Sequence, residues 1–260
     1  RYFFMQEQLY NSDYLNQTAN LLKTIKELSY APFLSIKSGA IVDVGCGTGQ
    51  DIFNIASLVS VEVNCIGVDA DPNMIATALT QNQSKANLKF QEGSADDLPF
   101  DNEQFEGLRN ERLIQHLPNP DKAFKEFNRV LKGGAPIAVV ETDWSSISLY
   151  NAPTEIATRI KEFYAKDNVP SGNVALHIAH LMNTNGFENI KLKVFPIVTD
   201  SLDQVKAFTR LDFVLQKMIA AAKLSEEEHK ELMASLEKAA ADGYFAMSLN
   251  LVVATAAKVK

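Results

Sequence analysis

The chain has 260 residues, 46% of them apolar, and a formal net charge of -7. That length and apolar content allow one large α/β domain or two small ones with a sizeable core. The acidic balance argues against a nucleic-acid surface and against anionic membranes, and no run of about 18 apolar residues marks a membrane span.

The opening residues Arg1 to Met5 turn polar too soon for a signal peptide, and without an initiating Met the numbering is expected to begin inside the natural chain or just after a tag. Residues 6–30 read as leading helices with an apolar stripe of Leu15, Leu21, Leu22, Ile25 and Leu28. Apolar runs then alternate with helical patterns, which predicts a parallel sheet wound on both faces. Strands are predicted at Ala40–Val44, Val63–Asp69, Leu88–Gln91, Phe105–Arg109 and Ile137–Val140. Helices are predicted through Ile52 to Val59, from Pro72 through Leu79, and after the Pro118 to Asp121 turn as far as Leu131. Two more fall near 154–166 and 174–185, before a sixth strand at Ile190–Val198.

Residues 201–240 read as helices. One carries Val205, Phe208, Leu211, Val214, Leu215, Met218 and Ile219 on a single face, and Ser225 caps an acidic helix start at Glu226 to Glu228. A seventh strand is predicted at Met247–Thr255. The reading is a single domain over 1–260, with leading helices at 1–35 and a helical insertion at 200–243 forming a lid. Phe208, Phe213, Leu215 and Met218, with Phe163 and Tyr164, either line a partly apolar acceptor pocket or only pack on the sheet.

The most informative segment is Val42 to Gly49. A buried strand runs into Gly45, Gly47 and Gly49, and a helix follows. Glycine permits unusual φ and close approach of a ligand to the backbone, at the strand ends where open α/β sheets bind ligands. The Gly-x-Gly-x-Gly spacing puts Gln50 where a dinucleotide fingerprint has its last glycine, which weakens a nicotinamide or flavin reading. Asp69 ends strand two, where a carboxylate can accept from ribose hydroxyls. Asp71, directly before Pro72, fits a helix cap.

Cys46 and Cys65 are too few for a disulfide scaffold and read as small buried residues in a reducing cytosol. His177 and His180 stand three apart with no third ligand nearby, so no metal site is predicted.

Val42 to Gly49, Asp69, Gly93 to Phe100 and Arg129 to Gly134 together resemble successive motifs of the class I S-adenosylmethionine (SAM)-dependent methyltransferases, in the branch with ubiquinone- and menaquinone-biosynthesis-like members. The resemblance implies a Rossmann-like seven-stranded sheet of order 3-2-1-4-5-7-6, strand seven antiparallel, with helices on both faces. It implies SAM as methyl donor and S-adenosylhomocysteine as product. The cofactor-binding residues it implies are Asp43, Gly45, Gly47, Gly49, Asp69, Ala70, Met74, Ser94, Ala95, Asp96, Arg109 and Asn110. Ser94 stands where the family usually has Asp against adenine, which leaves open whether Ser94 or Asp96 reads the base. Arg112 reads as a loop brace paired with Glu111 or another acid.

Methyl transfer from a sulfonium needs alignment and exclusion of water, and a base only when the nucleophile must lose a proton. His116 and Asp143 are the base candidates, and Tyr14, His116, Asp143 and Trp144 the candidates to touch substrate. The expected acceptor is a small, partly apolar molecule. The expected partners include neither nucleic acid nor membrane, a homodimer is left open, and the expected location is cytoplasmic. Two other readings remain: a SAM-binding protein of the same fold with another activity, and an NAD-dependent oxidoreductase.

Overall fold

The structure, a computed structural model, describes residues 23, 25–82 and 85–260. Tyr14, Leu15, Leu21 and Leu22 lie outside the described residues. Two compact units share the chain. One holds 25–82, 85–142, 173–195 and 251–260; the other holds 143–172 and 196–250, including the segment predicted as a lid.

The first unit opens with helix α1 over residues 25–30. Strand β1 (Gly39–Val44), helix α2 (Gln50–Leu58), β2 (Val63–Asp69), helix α3 (Pro72–Gln81), β3 (Leu88–Glu92), β4 (Gly107–Glu111), helix α4 (Pro120–Val130) and β5 (Pro136–Tyr150) follow. The sheet has the predicted order β3-β2-β1-β4-β5-β7-β6, where β6 is Phe187–Thr199 and β7 is Ala246–Lys258. The pairs β1–β2, β1–β4, β2–β3 and β4–β5 are parallel. Strand β7 runs against β5: Asn250 N donates to Ser146 Oγ near one end, and Lys258 N donates to Ala135 O near the other.

The central strands are apolar because both faces are covered. On β1, Ile41 joins a core with Ile52 and Ile55 of α2, Cys65 and Ala138. Val42 and Val44 face the opposite core, with Leu108, Val139, and Phe124 and Phe127 of α4. The turn chemistry read from the sequence is what starts these helices. Asp71 accepts from Asn73 N ahead of Pro72, and Asn119 accepts from Lys122 N ahead of Pro120.

The structure corrects five expectations. Strand β4 lies two residues later than read, because Phe105 makes only an isolated bridge to Leu131 and the Glu106 side chain takes the Ala40 amide. Strand β5 does not end at Val140. It continues to Tyr150, so Glu141, Thr142, Asp143 and Trp144 lie inside a strand rather than in an exit turn. The single helix read across 205–219 is two, α7 (Leu202–Thr209) and α8 (Leu211–Ala220), divided where Arg210 takes φ 56°. Leu28, expected in the apolar stripe of the leading helices, is exposed while Ile25 is buried. The predicted helix at 174–185 is a 3-10 turn at Val174–Leu176 followed by α6 (Ile178–Thr184).

In the second unit, α5 (Thr154–Lys166) and α9 (Glu226–Ala241) complete the helices. Ser225 and Glu228 form a reciprocal capping box at the start of α9. Phe163, Tyr164, Phe208, Leu215 and Met218 are buried within this unit, and Phe213 is half-buried beneath Arg210. An open recess of about 390 Å³ is lined by Phe163, Asp167, Lys217, Ala220, Ala221 and Lys223. Among the described residues no helix is long and apolar enough to cross a membrane.

Candidate functional site

Three glycines build the loop after β1. Gly45, Gly47 and Gly49 have φ of 73°, 54° and 80°, in the left-handed region that L side chains avoid. Gly45 N and Cys46 N both donate to Val68 O, at 2.7 and 2.9 Å, which ties the loop to the end of β2. A Cβ on Gly45 would lie 2.9 Å from Leu113, and one on Gly49 would run into the Phe90 ring. Gly49→Ala is therefore expected to lower stability by about 1–3 kcal/mol, from the left-handed backbone and the clash together. Denaturant unfolding checks this; a loss below about 0.5 kcal/mol contradicts it.

Asp69 stands where β2 meets this loop. Its Oδ2 accepts from Gly47 N at 2.8 Å and its Oδ1 from Asp71 N at 3.0 Å. Both oxygens thus bind backbone, and each keeps a further lone pair. Burial raises the Asp69 carboxyl above its usual range, against these amide bonds. Asp71 does the capping, as the sequence implied. Ala70 is exposed and Met74 half-buried on α3.

After β3, Ser94 Oγ donates to Asp96 Oδ1 at 2.5 Å, and Lys122 Nζ donates to Asp96 Oδ2 at 3.3 Å. Each Asp96 oxygen, like the exposed Ser94 oxygen, keeps a further lone pair able to accept. Ala95 is buried.

Asp43 is buried under the glycine loop in a cluster the sequence did not reveal. The fully buried Arg109 meets Asp43 and Asp51 at 3.3 Å, Glu111 at 2.5 Å and Ser29 Oγ at 2.9 Å. Lys26 pairs with Asp51 at 2.9 Å and Glu111 at 3.4 Å, and Tyr30 donates to Asp51. Arg112 lies 3.5 Å from Glu111, the predicted brace. Arg109 is thus an internal counter-ion rather than a group presented at the strand end. Burial pushes the Asp43 carboxyl up to about 7 against the pull of Arg109. Burial also opposes charge on Asp51, but Arg109 and Lys26 outweigh it and hold that carboxyl well below the carboxylate range.

Beside Arg109, Asn110 is fully buried, and neither its Nδ2 nor its Oδ1 has a hydrogen-bond partner among the described residues. The chain then turns at Arg112, φ 49°, into a 3-10 turn at Ile114–His116. Burial, aided by Arg112, lowers the His116 imidazole to about 4, so it is neutral at physiological pH. Glu141 Oε1 accepts from Ile114 N at 2.5 Å, and burial raises the Glu141 carboxyl to about 8.

Asp143 and Trp144 belong to the second unit. Asp143 accepts from Ser145 N and Oγ, and Trp144 stacks on Tyr164 at 4.9 Å. Tyr14 lies outside the described residues. Among the described residues no group of three His, Cys, Asp or Glu is placed to hold a metal.

These shifts set a pH dependence. Asp43 and Glu141 hold protons in the fold well above the 3.8 and 4.5 of their unfolded forms. Their contribution is complete below those values and is lost as pH rises through about 7 and 8. Thermal melts are expected to fall as pH rises from the unfolded values of 3.8 and 4.5 to the folded values of about 7 and 8, and to level off above them. A flat or rising profile contradicts the assignment.

The sheet order and the bond from carboxylate to glycine loop define a Rossmann-like architecture. Residues 42–139 match a family model described as a methyltransferase domain. A 37.1 kDa protein encoded in a transposon of Streptomyces fradiae is 25% identical over 176 residues, covering 67% of this chain and 51% of that protein. Demethylmenaquinone methyltransferase of Lactococcus lactis is 31% identical over 136 residues, covering 52% of each chain. The chain spans about half the length of these curated relatives. Phosphoethanolamine N-methyltransferase 2 of Haemonchus contortus, solved with S-adenosyl-L-methionine, superposes with a TM-score of 0.64 at 19% identity, over 99% of this chain and 59% of that one.

Proposed function

We propose that this chain is a SAM-dependent methyltransferase acting on a small-molecule acceptor. The observation that carries the reading is Asp69, whose two oxygens join the glycine loop to the β2–α3 turn and still have lone pairs for two ribose hydroxyls. The donor fits the residues around it. Gly45 and Gly49 leave the loop backbone bare, Ser94 offers an acceptor to an adenine amino group, and Met74 offers an apolar side chain to the ring. The buried, unpartnered amide of Asn110 and the carboxyl of Asp43 lie toward the methionine end in this reading.

SAM, when bound, supplies a methyl group activated by its positive sulfur. The protein holds the acceptor in line and keeps water out. His116, held neutral by burial, is the first candidate to take the acceptor's proton. Asp143 is the second candidate for that role. His116→Ala is expected to lower kcat about 10²-fold or more while leaving S-adenosylhomocysteine affinity unchanged. Unchanged turnover removes His116 from the chemistry.

The likeness to demethylmenaquinone methyltransferase puts quinol-type rings first among acceptors to try. The test is incubation with isotopically labelled SAM and a panel of quinols, phenols and amines, with mass spectrometry of the products. A labelled, methylated product together with S-adenosylhomocysteine supports the reading. A protein that binds SAM but never releases S-adenosylhomocysteine across the panel is a SAM-binding protein of another activity.

A further inference from the structure

The turn that carries His116 is secured from a neighbouring strand. Strand β4 ends at Glu111, and Arg112 reverses the chain with φ 49°, a conformation L residues rarely adopt. Such a turn needs restraint from outside itself. Arg112 N donates to Val140 O at 2.7 Å, and the next residue of β5, Glu141, completes the hold. Its Oε1 accepts from Ile114 N at 2.5 Å and from Gln115 N at 3.4 Å, the first two amides of the 3-10 turn. Those amides face no carbonyl of their own turn, so the carboxyl group acts as an N-cap supplied from another strand. Within the turn, His116 N donates to Leu113 O at 2.9 Å, and Gln115 Nε2 donates to Arg112 O at 3.1 Å. Leu113, at the head of the turn, sits so close to Gly45 that a Cβ there would lie 2.9 Å from it.

We propose that Glu141 is a positioning residue, whose buried carboxyl group grips the amides of Ile114 and Gln115. It thereby fixes Leu113 against the glycine loop and His116 at the end of the same turn. Glu141 is fully buried and touches neither donor nor acceptor; it acts through the turn. Its burial raises the carboxyl to about 8 and leaves Oε2 without a partner among the described residues. A side chain retained in so unfavourable a setting needs a return in geometry, and the two turn amides supply it. The role of His116 in this inference rests on the methyltransferase reading. The grip on the turn does not.

The experiment compares Glu141→Ala, Glu141→Met and Glu141→Gln with the wild type. Methionine fills the space without an acceptor; glutamine keeps one oxygen for the amides. Amide hydrogen exchange at Ile114 and Gln115 is expected to speed up about tenfold or more in the alanine and methionine variants and to be largely restored in the glutamine variant. S-adenosylhomocysteine affinity, by calorimetry, is expected to weaken about tenfold without the acceptor and to stay within about threefold with glutamine. A merely structural role would lower the melting temperature of all three without this split in affinity, and that result overturns the proposal. Unchanged exchange at both amides in the methionine variant also overturns it. A wild type that binds no S-adenosylhomocysteine refutes the methyltransferase reading instead, and the exchange rates still decide whether Glu141 holds the turn.

Discussion

Asp69→Ala is expected to weaken S-adenosylhomocysteine binding by about 10²-fold or more. Two effects add. Hydrogen bonds from ribose hydroxyls to a carboxylate contribute about 1.5–3 kcal/mol each in a shielded site. The Gly47 and Asp71 amides also lose their acceptor, so the loop that lies along the ligand loosens. Asp69→Asn should fall between wild type and alanine. It keeps one oxygen for one amide, while its NH₂ confronts the other amide, donor against donor. Calorimetric titration of the three proteins measures this directly. Equal affinity in all three would remove Asp69 from the ligand site and leave it as a brace between the loop and the turn.

The second large effect concerns stability. Arg109→Met is expected to destabilise the fold by about 3–5 kcal/mol, because it leaves buried carboxylates without their main counter-ion. Asp43, Asp51 and Glu111 all bind this one guanidinium, and among the described residues Lys26 and Arg112 are the other cations paired with them. Arg109→Lys keeps the charge but loses the planar fork, so it should recover only part of the loss. Adding Asp51→Asn to Arg109→Met should recover part as well, since Asp51 is the carboxylate that this guanidinium holds ionised. Urea unfolding of the single and double variants is the check. A loss under about 1 kcal/mol for Arg109→Met would mean the cluster contributes little.

What was legible in the sequence was local. Strands β1 to β3 announce themselves as apolar runs, and β2 was read to its exact ends, Val63 and Asp69. Helix starts were legible because Asp71, Asn119 and Ser225 cap the turns they precede. The glycine loop and Asp69 could be paired in advance because both sit at ends of neighbouring strands, where the fold forces them together. The continuation of β5 was hidden by Glu141, Asp143 and the serines at 145, 146 and 148, which read as an exit from a strand. Ser146 instead takes the Asn250 amide across the sheet, a partner with no local signal. The break between α7 and α8 carries neither Gly nor Pro; Arg210 in the left-handed region does the work of either.

The ion cluster was hidden for a related reason. Arg109 is joined to Ser29 across 80 positions and to Asp43 across 66, so no spacing rule connects them. A charged residue inside an apolar strand, as Arg109 is, carries a general signal that buried countercharges must exist. That signal does not say where they are. Glu141 gave the same warning: a carboxylate directly after Val139-Val140 in a buried strand requires donors, and the fold supplies them from the turn of Ile114 and Gln115.

Isothermal titration of the wild-type protein with S-adenosylhomocysteine, with NAD as the control ligand, tests the central claim most directly. The site described above predicts saturable heat for one ligand per chain with S-adenosylhomocysteine and none with NAD. Folded protein that gives heat with NAD alone, or with neither, contradicts it.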